Sequence, residues 1–164
     1  MVPAEDATAA VTSVSELAGD EDANTLFDAL PISQLATVWS ALQRTSRRDQ
    51  TGSVWAAIVY FDHLPGRKPD RTLDLALEVL ATEQDKLTVM QLNDKFLPSL
   101  IYKHAAEVID RVEAEARGNA RLRWLLGGVH SCAGESFERR IEAIADRSAW
   151  QRDDAARRKP RQPL

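Results

Sequence analysis

Apolar residues recur at intervals of three and four along most of this chain, and this spacing limits the folds open to it. Ile32, Leu35 and Trp39 show it first, and similar stripes occupy residues 73–80, 101–116 and 137–145. Such spacing places apolar side chains on one face of an α-helix. The sequence therefore predicts an all-α fold.

One segment, Val54–Phe61, is a run of eight apolar residues that would also suit a buried strand. We assign it to a helix because Ser53 is a suitable N-cap and because the sequence offers no second strand-like run to pair with it. A helix that is apolar on all sides is expected in the middle of the fold. Trp55 is therefore placed in the core, as is Trp39.

Six to seven helices with short connections are expected, packed as antiparallel helical hairpins in an irregular bundle or a short HEAT-like α-solenoid. No residue pattern repeats along the chain, so the solenoid is supported by the helix layout alone. We divide the chain into a flexible acidic N-terminal arm at 1–12, a single all-α domain at 13–148 and a disordered basic C-terminal tail at 149–164. The segment 64–69, with two prolines and a glycine, is expected to be a loop.

The formal net charge is −4, but the charges are unevenly distributed. Residues 1–43 hold seven acids and no Lys or Arg, whereas residues 147–164 hold six bases and two acids. Cys132 is the only cysteine, and the N-terminal sequence lacks the basic and apolar segments of a signal peptide. With no apolar run longer than eight residues, the sequence predicts a cytoplasmic protein without a membrane span.

Two short segments carry the weak candidates for catalysis. Asp62 and His63 lie beside the expected loop, where they would form an oriented general base or, more commonly, a helix cap. His130, Ser131 and Cys132 are consecutive, which suggests that His130 activates Cys132 or Ser131 as a nucleophile. The alternative is a small buried cysteine, because sequence neighbours rarely have the geometry of a nucleophile and its base.

No metal or cofactor is expected. His63, His104 and His130 are far apart in the sequence and form none of the usual zinc-ligand spacings. His104 and Glu107 have the three-residue spacing of a di-iron helix, but the sequence has no second pair of this kind. The glycines match no phosphate-binding loop.

Candidate partner-binding residues fall in two places. Trp124 lies between arginines and leucines, so it is either core or an interface anchor, and its neighbours Arg121 and Arg123 are candidates with it. The other place is the basic cluster of the tail. This cluster contains Arg157, Arg158, Lys159 and Arg161. It would either be solvated or bind phosphate backbones non-specifically.

Three segments together resemble a bacterial family of small helical domains of unknown function, over about residues 35–147: the stretch Ala114–His130, AEARGNARLRWLLGGVH, the upstream W-A-A-I run and the helix at 73–80. The resemblance rests on acidic residues at the end of a long helix, an arginine-rich turn and Leu-Gly-Gly. The matching residues are Glu113, Glu115, Arg121, Arg123, Leu126, Gly127 and Gly128. An aromatic residue often follows the glycines in that family, where this chain has His130. The resemblance implies an all-α fold and no established activity.

Three functions are compatible with these observations. The first is a non-catalytic domain that binds another protein, for example as an immunity or antitoxin-like protein. The second is a small-ligand binder or enzyme that uses Asp62 and His63 or the loop with His130 and Cys132. The third is weak nucleic-acid association through the basic tail. We favour the first because the chain is acidic, helical and without a catalytic motif.

Overall fold

The computed structural model describes residues 23–44, 52–94, 96–130 and 133–158. Within these ranges the chain forms nine α-helices and one 3₁₀-helix and contains no β-strand. The helices are α1 (Ala23–Ala29), α2 (Ile32–Arg44), α3 (Gly52–Arg67), α4 (Pro69–Thr82), α5 (Lys86–Met90), the 3₁₀-helix (Gln91–Asn93), α6 (Phe96–Gly118), α7 (Ala120–Leu126), α8 (Glu135–Ile144) and α9 (Arg147–Arg158). The all-α class is confirmed.

Four helices, α2, α3, α4 and α6, supply most of the core. The long helix α6 packs against α3, α4 and α8, while α2 packs mainly against α4. Many of the residues that are least exposed are leucines, each worth about 1.5–3 kcal/mol when removed from water. They include Leu35, Leu64, Leu73, Leu80 and Leu100, none more than 1% exposed. Their burial holds α2, α3, α4 and α6 together.

The structure corrects the loop expected at residues 64–69. α3 continues through Pro65 to Arg67, and the Lys68 amide still donates to Leu64 O at 3.0 Å. Pro65 has no N–H to donate to Phe61 O, so α3 lacks one backbone hydrogen bond in its last turn but does not end there. Pro69 then starts α4, since a helix needs no N–H donor at its first position. The connection between α3 and α4 is thus a single residue.

α6 begins earlier than the apolar stripe suggested and is bent. Pro98 lies in the first turn of α6, where its missing N–H costs no helical hydrogen bond. Within α6, His104 has non-helical backbone angles, with φ −134° and ψ 24°. The bend therefore falls at His104.

The predicted disordered tail is wrong for residues 149–158, which belong to α9. This segment contains few apolar residues, but Trp150 is only 8% exposed and anchors it. One large buried aromatic side chain offsets part of the entropy cost of ordering a short helix. The arm at 1–12, Cys132 and residues 159–164 lie outside the described residues.

Candidate functional site

The outward side of α3 carries large apolar side chains that solvent reaches. Trp55, Val59, Asp62, His63 and Gly66 are all exposed, and their spacing of four, three, one and three residues places them on one helix face. Trp55 is 59% exposed and Val59 is 36% exposed. We call these five residues the α3 outer face.

The structure overturns the expected burial of Trp55. Trp39 is in the core as predicted, at 3% exposure, but Trp55 points outward. The uniformly apolar run from residue 54 to 61 hides the helical period, so the sequence does not show which side faces water. The signal lies just beyond the run, because Asp62 and Gly66 follow Trp55 by seven and eleven residues and so share its face.

The inward side of α3 is fixed to α1 by a buried tyrosine. Tyr60 is 1% exposed, its ring lies 4.9 Å from that of Phe27, and its hydroxyl donates to Asp28 Oδ1 at 2.9 Å. Burial is the largest cause that raises the pKa of Tyr60 to about 12, and the carboxylate of Asp28 also raises it. The nearby Arg71 opposes the shift. The tyrosine is therefore neutral at physiological pH and acts as a hydrogen-bond donor.

Asp28 completes this anchor by pairing with the end of α3. Burial acts to raise the pKa of Asp28, but hydrogen bonds from Lys68 and Tyr60 outweigh it, so the pKa lies below its ordinary value. Lys68 Nζ lies 2.8 Å from Asp28 Oδ2. Arg71 donates to Phe27 O at 3.2 Å and to Leu30 O at 2.6 Å, which satisfies carbonyls around the end of α1. This anchor holds α3 with its outer face toward solvent.

The C-terminal end of α3 lies against the bend in α6. His104 Nε2 is 3.3 Å from Gly66 O, and His104 Nδ1 is 2.8 Å from Glu107 Oε1. Lys103 Nζ lies 3.1 Å from where a Cβ on Gly66 would be. Tyr102, the residue before Lys103, is 62% exposed. The outer face of α3 therefore ends beside a lysine and the histidine of the bend.

The candidate catalytic residues do not form a constellation in the part of the chain that the structure describes. Asp62 and His63 are exposed neighbours on α3 and have no hydrogen bond or ion pair there. His130 is exposed in the segment after α7, and Cys132 lies outside the described residues. No group of three or more His, Cys, Asp or Glu side chains among the described residues has an arrangement that would hold a metal ion.

Arg121 and Arg123 point at the chain's own backbone. Arg121 donates to Leu80 O and, at 2.6 Å, to Glu83 O at the end of α4. Arg123 donates to Ala116 O at 2.7 Å, near the end of α6. Carbonyls at helix C-termini lack intrahelical partners, and arginines commonly satisfy them. Both side chains therefore have a structural role that needs no partner protein.

Trp124 is partly buried and packs against α9. Its ring centroid lies 5.2 Å from that of Trp150, and its Nε1 donates to Asp153 Oδ2 at 2.9 Å. Lys86 Nζ donates to the same carboxylate oxygen at 2.9 Å and lies over the Trp124 ring. The hydrogen bond from Lys86 is the largest cause that lowers the pKa of Asp153. This network joins α5, α7 and α9.

Gly127 and Gly128 pack directly against Trp150 of α9 and against Asp146, which precedes it. A Cβ on Gly127 would lie 2.5 Å from Asp146 O, and a Cβ on Gly128 would overlap the Trp150 ring and the Asn93 amide. Asn93 Nδ2 in turn donates to Leu125 O at 2.5 Å. The two glycines are therefore required by close approach of other parts of the chain.

The described part of the basic cluster is paired with acids. Arg157 lies 3.1 Å from Asp154 and 3.9 Å from Asp94, and Arg158 lies 2.8 Å from Asp154. Lys159 and Arg161 lie outside the described residues. The two described arginines are thus partly neutralised within the domain.

The comparisons with known proteins identify a family but no activity. A search of curated proteins and a search of solved structures both give no match. None of the described helices combines the length and the apolar character needed to cross a membrane. The model of a family described as "Family of unknown function (DUF6869)" matches residues 33–149, which includes the whole span of the resemblance seen in the sequence. The chain belongs to this family of unknown function.

Proposed function

We propose that this chain is a non-catalytic helical domain that binds another protein, and that the α3 outer face is the contact surface. The observation that carries the proposal is Trp55, which is 59% exposed on a well-anchored helix with Val59 beside it. Tryptophan is the side chain most enriched among residues that dominate binding energy at interfaces. Single exposed apolar residues are ordinary, but a tryptophan and a valine one turn apart form a continuous apolar patch.

Other features support binding over catalysis. Asp62 and His63 share the α3 outer face, but no described residue orients either of them as a general base needs. The earlier candidate Arg121 donates to a carbonyl at the end of α4. The earlier candidate Trp124 packs against Trp150 of α9. The surface on α3 therefore replaces them as the proposed binding site.

The immunity or antitoxin-like role is the most concrete form with a different protein as partner. It is supported by the net charge of −4 and by the helical fold, and it requires a stable complex with a second protein. The single cysteine supports a cytoplasmic location as part of the same proposal. Nucleic-acid association is not proposed, because Arg157 and Arg158 are paired with carboxylates.

The test is photo-crosslinking in the host cell. A benzoylphenylalanine at position 55 is compared with the same group at Gln151, an exposed position of α9. We expect one protein adduct from position 55 that position 151 does not give. Equal labelling from both positions, or no adduct from position 55, would contradict the proposal.

A further inference from the structure

We infer that an acidic segment of this chain, residues 16–22, binds a basic corner at the C-terminal end of α3 and there competes with the partner of the α3 outer face. The basic corner consists of Arg67, Lys68, Arg71 and Lys103. The contact within the chain needs only complementary charge and a connection of sufficient length, whereas the competition rests on the proposed function.

The basic corner holds more positive charge than the domain neutralises. Lys68 Nζ lies 2.8 Å from Asp28 Oδ2, and Arg67 lies 3.9 Å from the same oxygen. In the part of the chain that the structure describes, Asp28 is the only carboxylate that forms an ion pair with any of the four bases. Arg71 donates to backbone carbonyls around the end of α1 instead. Four cations therefore share one carboxylate.

Lys103 lacks an ion pair on its own helix as well. Glu107 follows it by one turn, but Glu107 Oε1 lies 2.8 Å from His104 Nδ1 and forms no ion pair with Lys103. The Lys103 side chain lies over Gly66, with Nζ 3.1 Å from where a Cβ would be. Its ammonium group is thus held at the C-terminal end of α3, exposed and without a counter-charge among the described residues.

The complementary charge lies in the N-terminal part of the chain. Residues 1–22 hold six of the 25 acids and none of the 21 bases, so the remainder of the chain has a net charge of +2. Four of the six acids fall within residues 16–22, which lie outside the described residues. They are Glu16, Asp20, Glu21 and Asp22. The chain is therefore an acidic N-terminal part joined to a slightly basic remainder.

The connection between the two parts brings the acids close to the basic corner. Asp22 precedes Ala23, the first residue of α1, and Asp28 of α1 lies in the corner. Five residues of helix separate Ala23 from Asp28, a distance of about 8 Å. Charges interact over this distance, since the screening length at physiological salt is also roughly 8 Å. Three extended residues cover about 10 Å, so the segment is long enough to turn back along α1 and reach the corner.

The short connection makes a weak contact sufficient. Exposed ion pairs contribute little individually. A short linker, however, raises the effective concentration of the segment at the corner to about the millimolar range. We therefore expect a contact that forms without any partner and weakens when salt is added.

The position of the corner makes this contact autoinhibitory. Gly66, the last residue of the α3 outer face, lies under the Lys103 side chain. Trp55 lies about 16 Å away along the helix and stays exposed. The bound segment thus shields the Gly66 end of the face and leaves the tryptophan accessible. A partner that covers the whole face has to displace the segment, which lowers the apparent affinity of the partner.

Carbodiimide crosslinking of the purified full chain tests the contact, because this reagent joins a carboxylate directly to a lysine amine. Lys103 is the reporter, since no described carboxylate pairs with it, and the exposed Lys86 of α5 is the control. Mass spectrometry of the monomer should show an amide bond from residues 16–22 to Lys103 and none to Lys86. The yield should fall at least about threefold in 1 M salt, where the screening length is only about 3 Å.

Neutralisation of the segment supplies a second readout. A triple variant replaces its last three acids by their amides. The substitutions are Asp20→Asn, Glu21→Gln and Asp22→Asn. This variant should shift the amide NMR signals of Gly66 and Lys103 but not that of Lys86. The control, Glu5→Gln with Asp6→Asn, removes acids outside the segment and should shift none of the three. In the host cell, the triple variant should raise the yield of the partner adduct from position 55 about twofold or more.

The outcomes separate this inference from the proposed function. A bond to Lys103, together with signal shifts in the triple variant alone, supports the contact. An equal bond to Lys86, a bond to Lys159 in place of Lys103, or no bond from the segment overturns it. An unchanged adduct yield in the triple variant overturns the competition. The absence of any adduct from position 55 contradicts the proposed function instead, and the contact is then judged by the Lys103 bond alone.

Discussion

At the scale of single residues, Gly127 and Gly128 show why a motif can be recognised from the sequence before its purpose is understood. Glycine commonly follows the last residue of a helix, and Gly127 directly follows α7. In the structure, Asp146 and Trp150 leave no space for a Cβ at either glycine. No local pattern reveals this, because the crowding groups come about twenty residues later in the chain.

Gly128→Ala should therefore destabilise the domain by about 1–3 kcal/mol, since the new methyl group overlaps both the Trp150 ring and the Asn93 amide. Gly118→Ala is the control, because a Cβ there meets nothing within 4 Å. Urea unfolding followed by circular dichroism measures both. Equal free energies of unfolding for the two variants would show that α9 does not rest on Gly128.

The two tyrosines make a second matched comparison at this scale. Tyr60 is buried with a pKa raised to about 12, whereas Tyr102 is 62% exposed. Between the ordinary tyrosine pKa of 10.0 and about 12, the folded chain keeps the Tyr60 proton and the unfolded chain loses it. The folded state then binds more protons, so stability falls as pH rises through this range.

We expect Tyr60 to account for a loss of about 1 kcal/mol in the free energy of unfolding between roughly pH 9 and pH 11. Tyr60→Phe should remove this part of the loss, while Tyr102→Phe should retain it. Urea unfolding at the two pH values gives the measurement. An identical pH dependence in both variants would mean that Tyr60 is not buried beside Asp28.

At the scale of secondary structure, helices were predictable wherever one apolar face meets one polar face. α2 and the second half of α6 belong to this group, with Leu35, Trp39 and Val112 on their buried sides. The sequence correctly predicts that α3 is a helix. It wrongly predicts that the helix ends before a loop at 64–69 and that Trp55 faces the core. Its end depends on Pro65 fitting into a last turn, and its orientation depends on Tyr60 meeting Asp28 of α1. Neither the end of α3 nor its orientation can be read from the local sequence.

α9 was missed for a related reason. Its sequence is mostly polar, and Trp150 is its only buried residue. The helix is stabilised by packing on Trp124, Gly127 and Gly128 and by the hydrogen bonds that Asp153 accepts from Trp124 and Lys86. Because these groups come from α5 and α7, composition alone indicated disorder.

Trp150→Ala should release α9 while leaving the rest of the fold intact. Truncation of a buried tryptophan costs about 3–5 kcal/mol, and few other apolar contacts hold this helix. Amide hydrogen exchange should become fast from Arg147 to Arg158 and stay slow in α6. Arg152→Ala, at an exposed position of the same helix, should not change the exchange rates. Protection of α9 that survives the loss of Trp150 would contradict the single-anchor description.

At the scale of the whole molecule, fold class and family follow from sequence, whereas the proposed binding surface rests on the packed structure. The all-α class needed only apolar spacing, and the match at residues 33–149 confirmed the resemblance. The candidate surface was different, because sequence indicated Trp124 and the arginines near it. Packing buries Trp124 partly against α9 and leaves Trp55 59% exposed. Which of the two tryptophans is more exposed depends on the positions of the neighbouring helices.

The exposed α3 outer face is tested most directly by the solvent accessibility of Trp55, measured by acrylamide quenching of fluorescence. The difference between the wild-type chain and Trp55→Phe isolates this residue from Trp39, Trp124 and Trp150. We predict that the Trp55 emission is strongly quenched by acrylamide in dilute protein, because this side chain is 59% exposed. An emission that resists quenching at every concentration would place Trp55 inside the fold and contradict the proposed surface.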